Sequence, residues 1–250
     1  MRIAAIIEYD GSRFSGWQVQ SADAQHEDVR TVQGAVERAL SVVADEPVRV
    51  HVAGRTDAGV HAAVQVIHFD TDAERSPYSW VRGANSNLPE DVALLWASQV
   101  PPDFHARFAA TARSYRYVIL NRPVRSALLQ TRVSWEYRPL DIAPMRAAAQ
   151  SLIGVHDFTS FRAMQCQAKS PVRELRALEV ARHGEYIVIT ATANAFLHHM
   201  VRNLAGVLMT IGAGERPAAW AQQVLAARDR TAGGGTASPA GLYLARIEYP

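Results

Sequence analysis

The sequence has little cysteine and almost no lysine. Its 250 residues hold one cysteine, Cys166. An intramolecular disulfide is therefore impossible, and paired-cysteine zinc sites are excluded. Of the 26 basic residues only Lys169 is lysine; the rest are arginine. A GC-rich genome produces such a bias. So does a surface that grips phosphate, because guanidinium suits bidentate contacts and base stacking. No run of eighteen apolar residues occurs. The most apolar stretch, AFLHHMVRNLAGVLMTIGA, is cut by two histidines and an arginine. The opening MRIAAIIEYDG has too short an apolar run for a signal-peptide core and ends in acid. The expectation is a cytoplasmic protein without a membrane span. Net charge is only +2, so any nucleic-acid surface must come from arrangement rather than from excess charge.

What is present is ordinary globular composition, 48% hydrophobic and 20% charged. The patterning predicts strands over 2–8, 48–52, 64–69, 93–100 and 115–120. A hairpin is predicted around His183-Gly184, and a closing strand in LYLARIEY. It predicts helices from Thr31 to about Ala44, from Asp141 to Leu152, from about Leu197 to Ile211, and over 217–228. Residues 21–30 read as an exposed insertion, 156–173 as a long basic loop, and TAGGGTASPAG as a flexible loop. Pro101-Pro102 suggests a boundary, giving subdomains 1–103 and 104–250. Strands and helices alternating irregularly in two halves point to an α+β fold with largely antiparallel sheet.

Three places can carry chemistry. In AGRTDAGVHA, residues 53–62, Arg55 and Asp57 project to one side if the chain is extended there. A cation that close keeps a carboxylate ionised. The same residues also make sense as an Asx-turn with a local ion pair. On the 197–211 helix, His198, His199 and Arg202 form a polar stripe. It could be a solvated face, an anion or carboxylate partner, or a metal site, although no HExxH is present. Tyr115 and Tyr117 share a strand face. They read as core, or as platforms for an unpaired base, with Arg107, Arg113 and Arg116 nearby.

Together these segments resemble the tRNA pseudouridine synthase A family. The resemblance runs through EYDGSRFSGWQVQ, VQGAVERAL, AGRTDAGVHA, NSNLPEDV, FHARFAATARSYRYVI, HDFTSFRAMQCQ, NAFLHHMVRNLAG and GLYLARIEYP, in the family's order. It implies the pseudouridine synthase fold: two ferredoxin-like subdomains with a joined sheet and a central RNA-binding cleft. It implies isomerisation of uridine at positions 38–40 of the tRNA anticodon stem-loop, by a homodimer, with no cofactor and no metal. By resemblance, Asp57 is the catalytic aspartate, Tyr115 meets the target base, and Arg202 pairs with the aspartate. Arg55 helps expel the target nucleotide, and Leu242 packs under the base. Arg13, Arg75, Arg162, Lys169 and Arg173 are expected to contact phosphate. Whether Asp57 adds to ring C6 or acts at the sugar stays open. A non-catalytic RNA-binding module would keep the arginines and Tyr115 and have no need of Asp57.

Overall fold

The structure, a computed structural model, describes residues 1–19 and 29–250. The polar insertion expected over 21–30 lies, through residue 28, outside the described residues. Two compact units form: Met1–Thr111 with Leu244–Pro250, and Ala112–Tyr243.

In the first unit the chain runs β1 (Arg2–Tyr9), α1 (Val32–Ala44), β2 (His51–Val52), β3 (His61–Asp70), α2 (Pro77–Asn87) and β4 (Val92–Val100). Strand β1 pairs antiparallel with β3 and β4, and β2 pairs with β3. The resulting order, β4-β1-β3-β2, is that of a ferredoxin-like βαββαβ unit. Thr31 starts α1 by accepting the Gly34 N–H on its hydroxyl at 3.3 Å. Val32, Val36 and Leu40, one helical stripe, are buried. Ser76 caps α2 in the same way, with Pro77 in its first turn. The two helices pack on each other, and α2 packs on β4.

Only His51 and Val52 of the expected 48–52 strand pair in the sheet. Side chains of α1 satisfy the preceding backbone instead. The Ser41 hydroxyl accepts the Val48 N–H at 2.9 Å, and the Glu37 carboxylate accepts the Val50 N–H at 3.1 Å. The division between units also falls later than Pro101-Pro102 suggested. Phe104 and Ala106 pack with Ala53, Val66 and Tyr249 of the first unit. Arg2 donates to the Phe104 carbonyl, and the Thr111 N–H donates to the Glu248 carbonyl.

The second unit runs β5 (Ala112–Asn121), β6 (Ser134–Glu136), α3 (Ile142–Ser151), β7 (Gly154–Asp157), β8 (Val172–His183), β9 (Tyr186–Ala193), α4 (Met200–Gly212) and α5 (Trp220–Ala227). Its strands lie in the order β5-β9-β8-β7, antiparallel throughout, with β6 parallel to the end of β5. Helix α3 packs against α4 and β8. The predicted hairpin is present, turned by Gly184 at φ 59°. Strand β10 (Leu242–Glu248) ends the chain; Leu242 and Tyr243 belong to the second unit and the rest to the first. The fold is thus α+β with mostly antiparallel sheet, ten strands and five α-helices among the described residues. No helix among them is long and apolar enough to cross a membrane.

Candidate active site

Asp57 lies in the connection between β2 and β3, and the segment after β1 braces that connection. The Trp17 N–H donates to the Thr56 carbonyl at 3.0 Å, and the Gly59 N–H donates to the Phe14 carbonyl at 3.4 Å. Gly16 makes the approach possible. Its φ is +96°, and a β-carbon there would stand 3.0 Å from the Thr56 oxygen. Within the loop, the Val60 N–H closes a turn onto the Asp57 carbonyl at 3.1 Å, and Gly59 takes φ 75°. The bracing segment is itself anchored. Arg30 grips both oxygens of Asp91 at 2.7 Å and lies 4.0 Å from the centre of the Phe14 ring.

Burial alternates along the loop: Arg55 is exposed, Thr56 buried, Asp57 half-buried. The Thr56 hydroxyl meets the Tyr9 hydroxyl at 2.8 Å, and the Gln65 amide donates to the Gly54 carbonyl at 2.6 Å. Residues 54 and 56 are therefore held inward, which leaves Arg55 and Asp57 on the outward side. The expected local ion pair does not form. Arg55 extends into solvent without a hydrogen-bond or ion-pair partner among the described residues. An exposed guanidinium gains little from one carboxylate in water, so the loop does not need that pair to hold its shape.

In the second unit, Tyr115 sits on β5 opposite Ala191. Its ring is buried, and Phe196 meets it edge-on at 5.1 Å between centres. Two residues on, Tyr117 is fully buried and donates its hydroxyl to the Ser238 carbonyl at 2.9 Å. Burial pushes the Tyr117 phenol up to about 12, so it remains a donor. Arg202 lies in the first turn of α4, where its Nε donates to the Ala237 carbonyl at 2.8 Å and the Ala237 N–H donates back to the Arg202 carbonyl. Leu242 is buried at the start of β10. Helix α4 begins at Met200 rather than Leu197, because His199 is left-handed at φ 62°. The His198 carbonyl instead accepts the Ala163 N–H at 2.8 Å.

The segment expected to be a flexible loop is packed onto α4. Buried Asn203 accepts from Arg230 at 3.0 Å and from the Thr236 hydroxyl at 2.7 Å, and donates to the Phe161 carbonyl at 2.7 Å. A β-carbon on Gly206 would stand 2.4 Å from the Gly235 oxygen. Sequence reasoning missed Asn203, Phe196, Tyr9 and Gln65. The available signal for Gln65 was an amide standing in the apolar run VQVIHF.

The basic residues fall into two groups. Arg13, which also lies 3.5 Å from Asp91, and Arg75, which donates to the Val43 carbonyl, stand at the surface of the first unit. In the second, Lys169 is exposed and Arg162 half-buried. Arg173 is committed to its own segment, donating to the Ser170 and Val172 carbonyls at 2.9 and 2.6 Å, and its Nε is buried without a partner. Burial lowers its affinity for the proton.

Comparison with known proteins agrees with the fold. A family model described as tRNA pseudouridine synthase matches residues 5–109 and 148–250. Proteins named tRNA pseudouridine synthase A from Pseudomonas aeruginosa and Nitrosococcus oceani are 61% and 60% identical to this chain. The alignments cover all of it and 86% and 94% of those proteins. The protein of that name from Methylococcus capsulatus is 58% identical over the whole chain and 90% of its own length. With matches that span both units and include the Asp57 loop and α4, the chain belongs to the tRNA pseudouridine synthase A family.

Proposed function

We propose that this protein isomerises uridine to pseudouridine at positions 38–40 of the tRNA anticodon stem-loop. The observation that carries the reading is 58–61% identity along the whole chain to proteins of that name. The reaction breaks the glycosidic C–N bond, forms a C–C bond from the same sugar carbon to ring C5, and moves the C5 proton to nitrogen. Atoms and electrons balance without a co-reactant.

The base must first leave its stack, at a few kcal/mol, and least in a loop. Asp57 is the proposed catalytic carboxylate, acting either at ring C6 or at the sugar. Its loop presents it on a backbone fixed from both sides, which suits a group that must meet a reacting atom within a fraction of an ångström. Arg55, exposed and unpaired, is the proposed wedge that takes the place of the expelled nucleotide. Tyr115 stacks on the base and relays a proton through its hydroxyl. Arg202 is the proposed basic residue of the site, and Leu242 the proposed apolar floor under the base. Arg13, Arg75, Arg162 and Lys169 are proposed phosphate contacts. Arg173 joins them only if its backbone bonds open.

The protein is further proposed to act in the cytoplasm as a homodimer, since an RNA arm exceeds one small subunit's reach and two-fold symmetry is the commonest solution. Light scattering at working concentration tests the dimer; a fully active monomer overturns it. The activity is tested by tritium release from tRNA carrying tritium at uracil C5. Release proportional to enzyme is expected. Tight tRNA binding without release identifies a non-catalytic RNA-binding module instead.

A further inference from the structure

Gln65 is a polar side chain in an apolar place. On β3 it shares a face with Ile67 and Phe69, and all three are 0% exposed. Its Oε1 is buried with no hydrogen-bond partner. A leucine or methionine would fill the same space and leave no acceptor orphaned, so packing alone does not call for an amide here. The Nε2 end is the occupied one. It donates to the Gly54 carbonyl at 2.6 Å and, more weakly, to the Tyr9 hydroxyl at 3.4 Å.

Tyr9 continues the chain of contacts. The pairing of β1 with β3 shifts register between Ile7 and Tyr9 and resumes at Tyr9 opposite Ala62. The ring lies 6.1 Å from that of Trp17 and is 4% exposed. Its hydroxyl meets the Thr56 hydroxyl at 2.8 Å. Burial pushes this phenol up to about 12, so the proton stays on the oxygen and the link persists across working pH. Gly54 and Thr56 are thus tied from below, the one by its carbonyl and the other by its side chain. The Thr56 carbonyl is tied from the side by Trp17. Within residues 54–57, Arg55 and Asp57 are the two that face outward.

We infer that Tyr9, Thr56 and Gln65 are positioning residues that fix the Asp57 carboxylate through hydrogen bonds to the inward side of its loop. The inference rests on the reading of Asp57 as the catalytic carboxylate. None of the three touches the RNA; each acts through the backbone on which Asp57 rides. A loop released by one such bond shifts by a fraction of an ångström, and misplacement of about 1 Å reduces turnover roughly 10²-fold.

The test compares Tyr9→Phe, Thr56→Val, Thr56→Ser and Asp57→Asn with wild type. Three quantities are measured: single-turnover tritium release, tRNA affinity by filter binding, and melting temperature. Phe and Val keep the packed shape and remove only the hydroxyl. Tyr9→Phe and Thr56→Val are expected to bind tRNA as wild type does, to melt within a few degrees of it, and to turn over about 10- to 100-fold more slowly. Thr56→Ser restores the hydroxyl and is expected to recover most of the rate, which a role in packing the Thr56 methyl would not allow. If Tyr9→Phe and Thr56→Val react at more than half the wild-type rate while Asp57→Asn is inactive, the positioning role is wrong and the catalytic reading stands. If Asp57→Asn itself keeps its activity, both are wrong.

Discussion

Gly11 lies against Val60 so closely that a β-carbon on it would stand 1.9 Å from the Val60 carbonyl oxygen. Forty-nine residues apart, they join the segment after β1 to the far end of the Asp57 loop. The Gly11 N–H also donates to buried His61 at 3.1 Å. Two glycines of EYDGSRFSGW thus meet GRTDAGV, Gly11 at its last residue, Val60, and Gly16 at its middle, Thr56 to Ala58. The first expected outcome follows. Gly16→Ala forces a β-carbon into a backbone at φ +96° and against Thr56, costing about 1–3 kcal/mol in stability. Gly11→Ala meets rigid backbone and is expected to cost more. Urea unfolding measures both, and a Gly16→Ala protein as stable as wild type would show that the loop yields without strain.

Asp57→Asn keeps the size of the side chain and removes its charge. The bonds that shape the loop come from the backbone, Thr56 and Gln65, so fold and tRNA binding are expected to survive. Loss of the carboxylate is expected to lower isomerisation by at least about 10⁴-fold, on the order of 5 kcal/mol in activation free energy. Filter binding and tritium release on one preparation decide the matter. Release above a tenth of the wild-type rate would reduce Asp57 to a turn residue.

Tyr115→Phe retains the ring against Phe196 and loses the hydroxyl. Binding is expected to be near normal and turnover lower by about 10²-fold, the contribution of a positioned acid–base group. Unchanged turnover leaves Tyr115 as a stacking surface alone.

Much of this was legible in the sequence, because hydrophobic period and caps are local properties. Thr31 and Asp141 each cap a helix, and the apolar runs became β1, β3, β4 and β5. What was not legible depends on partners distant in the chain. Residues 48–50 have a strand's alternation but find their acceptors on α1. Pro101-Pro102 ends β4, yet the chain stays with the first unit until Thr111 because Phe104 and Ala106 find their packing there. Glycines in TAGGGTASPAG suggest freedom by composition; here the segment packs on α4, and Gly206 of that helix is what allows the close approach. The Asp57 loop was found by motif and its outward side by alternation. Its bracing from Tyr9 to Trp17 is a tertiary fact with no signature in either segment alone.

Gly206 in α4 gives a prediction whose sign is informative. In an exposed helix interior, Gly→Ala stabilises by up to about 1 kcal/mol. Here the new methyl meets the Gly235 carbonyl and lifts the segment that holds Arg202 through Ala237. Gly206→Ala is therefore expected to destabilise by about 1–3 kcal/mol and to lower turnover more than tRNA affinity. A stabilised, fully active variant would mean that this segment moves freely.

The last prediction concerns pH. His68 is buried on β3, stacked on His51 at 4.8 Å and meeting His105 at 4.6 Å between ring centres. Its Nδ1 accepts the Ala106 N–H at 3.1 Å, so the ring is neutral with its proton on Nε2. Burial is the main force that pushes its pKa down to about 4. His105, His51 and Arg2 add to this, and Asp70 opposes it. In the unfolded chain the same ring titrates near about 6.5. The unfolded state therefore binds the proton first as pH falls. The contribution of His68 to stability is complete above about pH 6.5, declines between about 6.5 and 4, and amounts to about 3 kcal/mol over that window. His105, whose pKa burial also lowers, acts in the same direction. The carboxylates of Asp70 and Asp91 are held below their usual range by Arg2 and Arg30, so their losses come at lower pH. Urea unfolding at pH 7.5 and pH 5.0 is expected to differ by about 2 kcal/mol in the wild type. His68→Asn can still accept the Ala106 N–H on its side-chain oxygen and has no proton to take up, so its stability is expected to change much less between the two. Equal stability of the wild type at both pH values would show that His68 carries its proton within the fold.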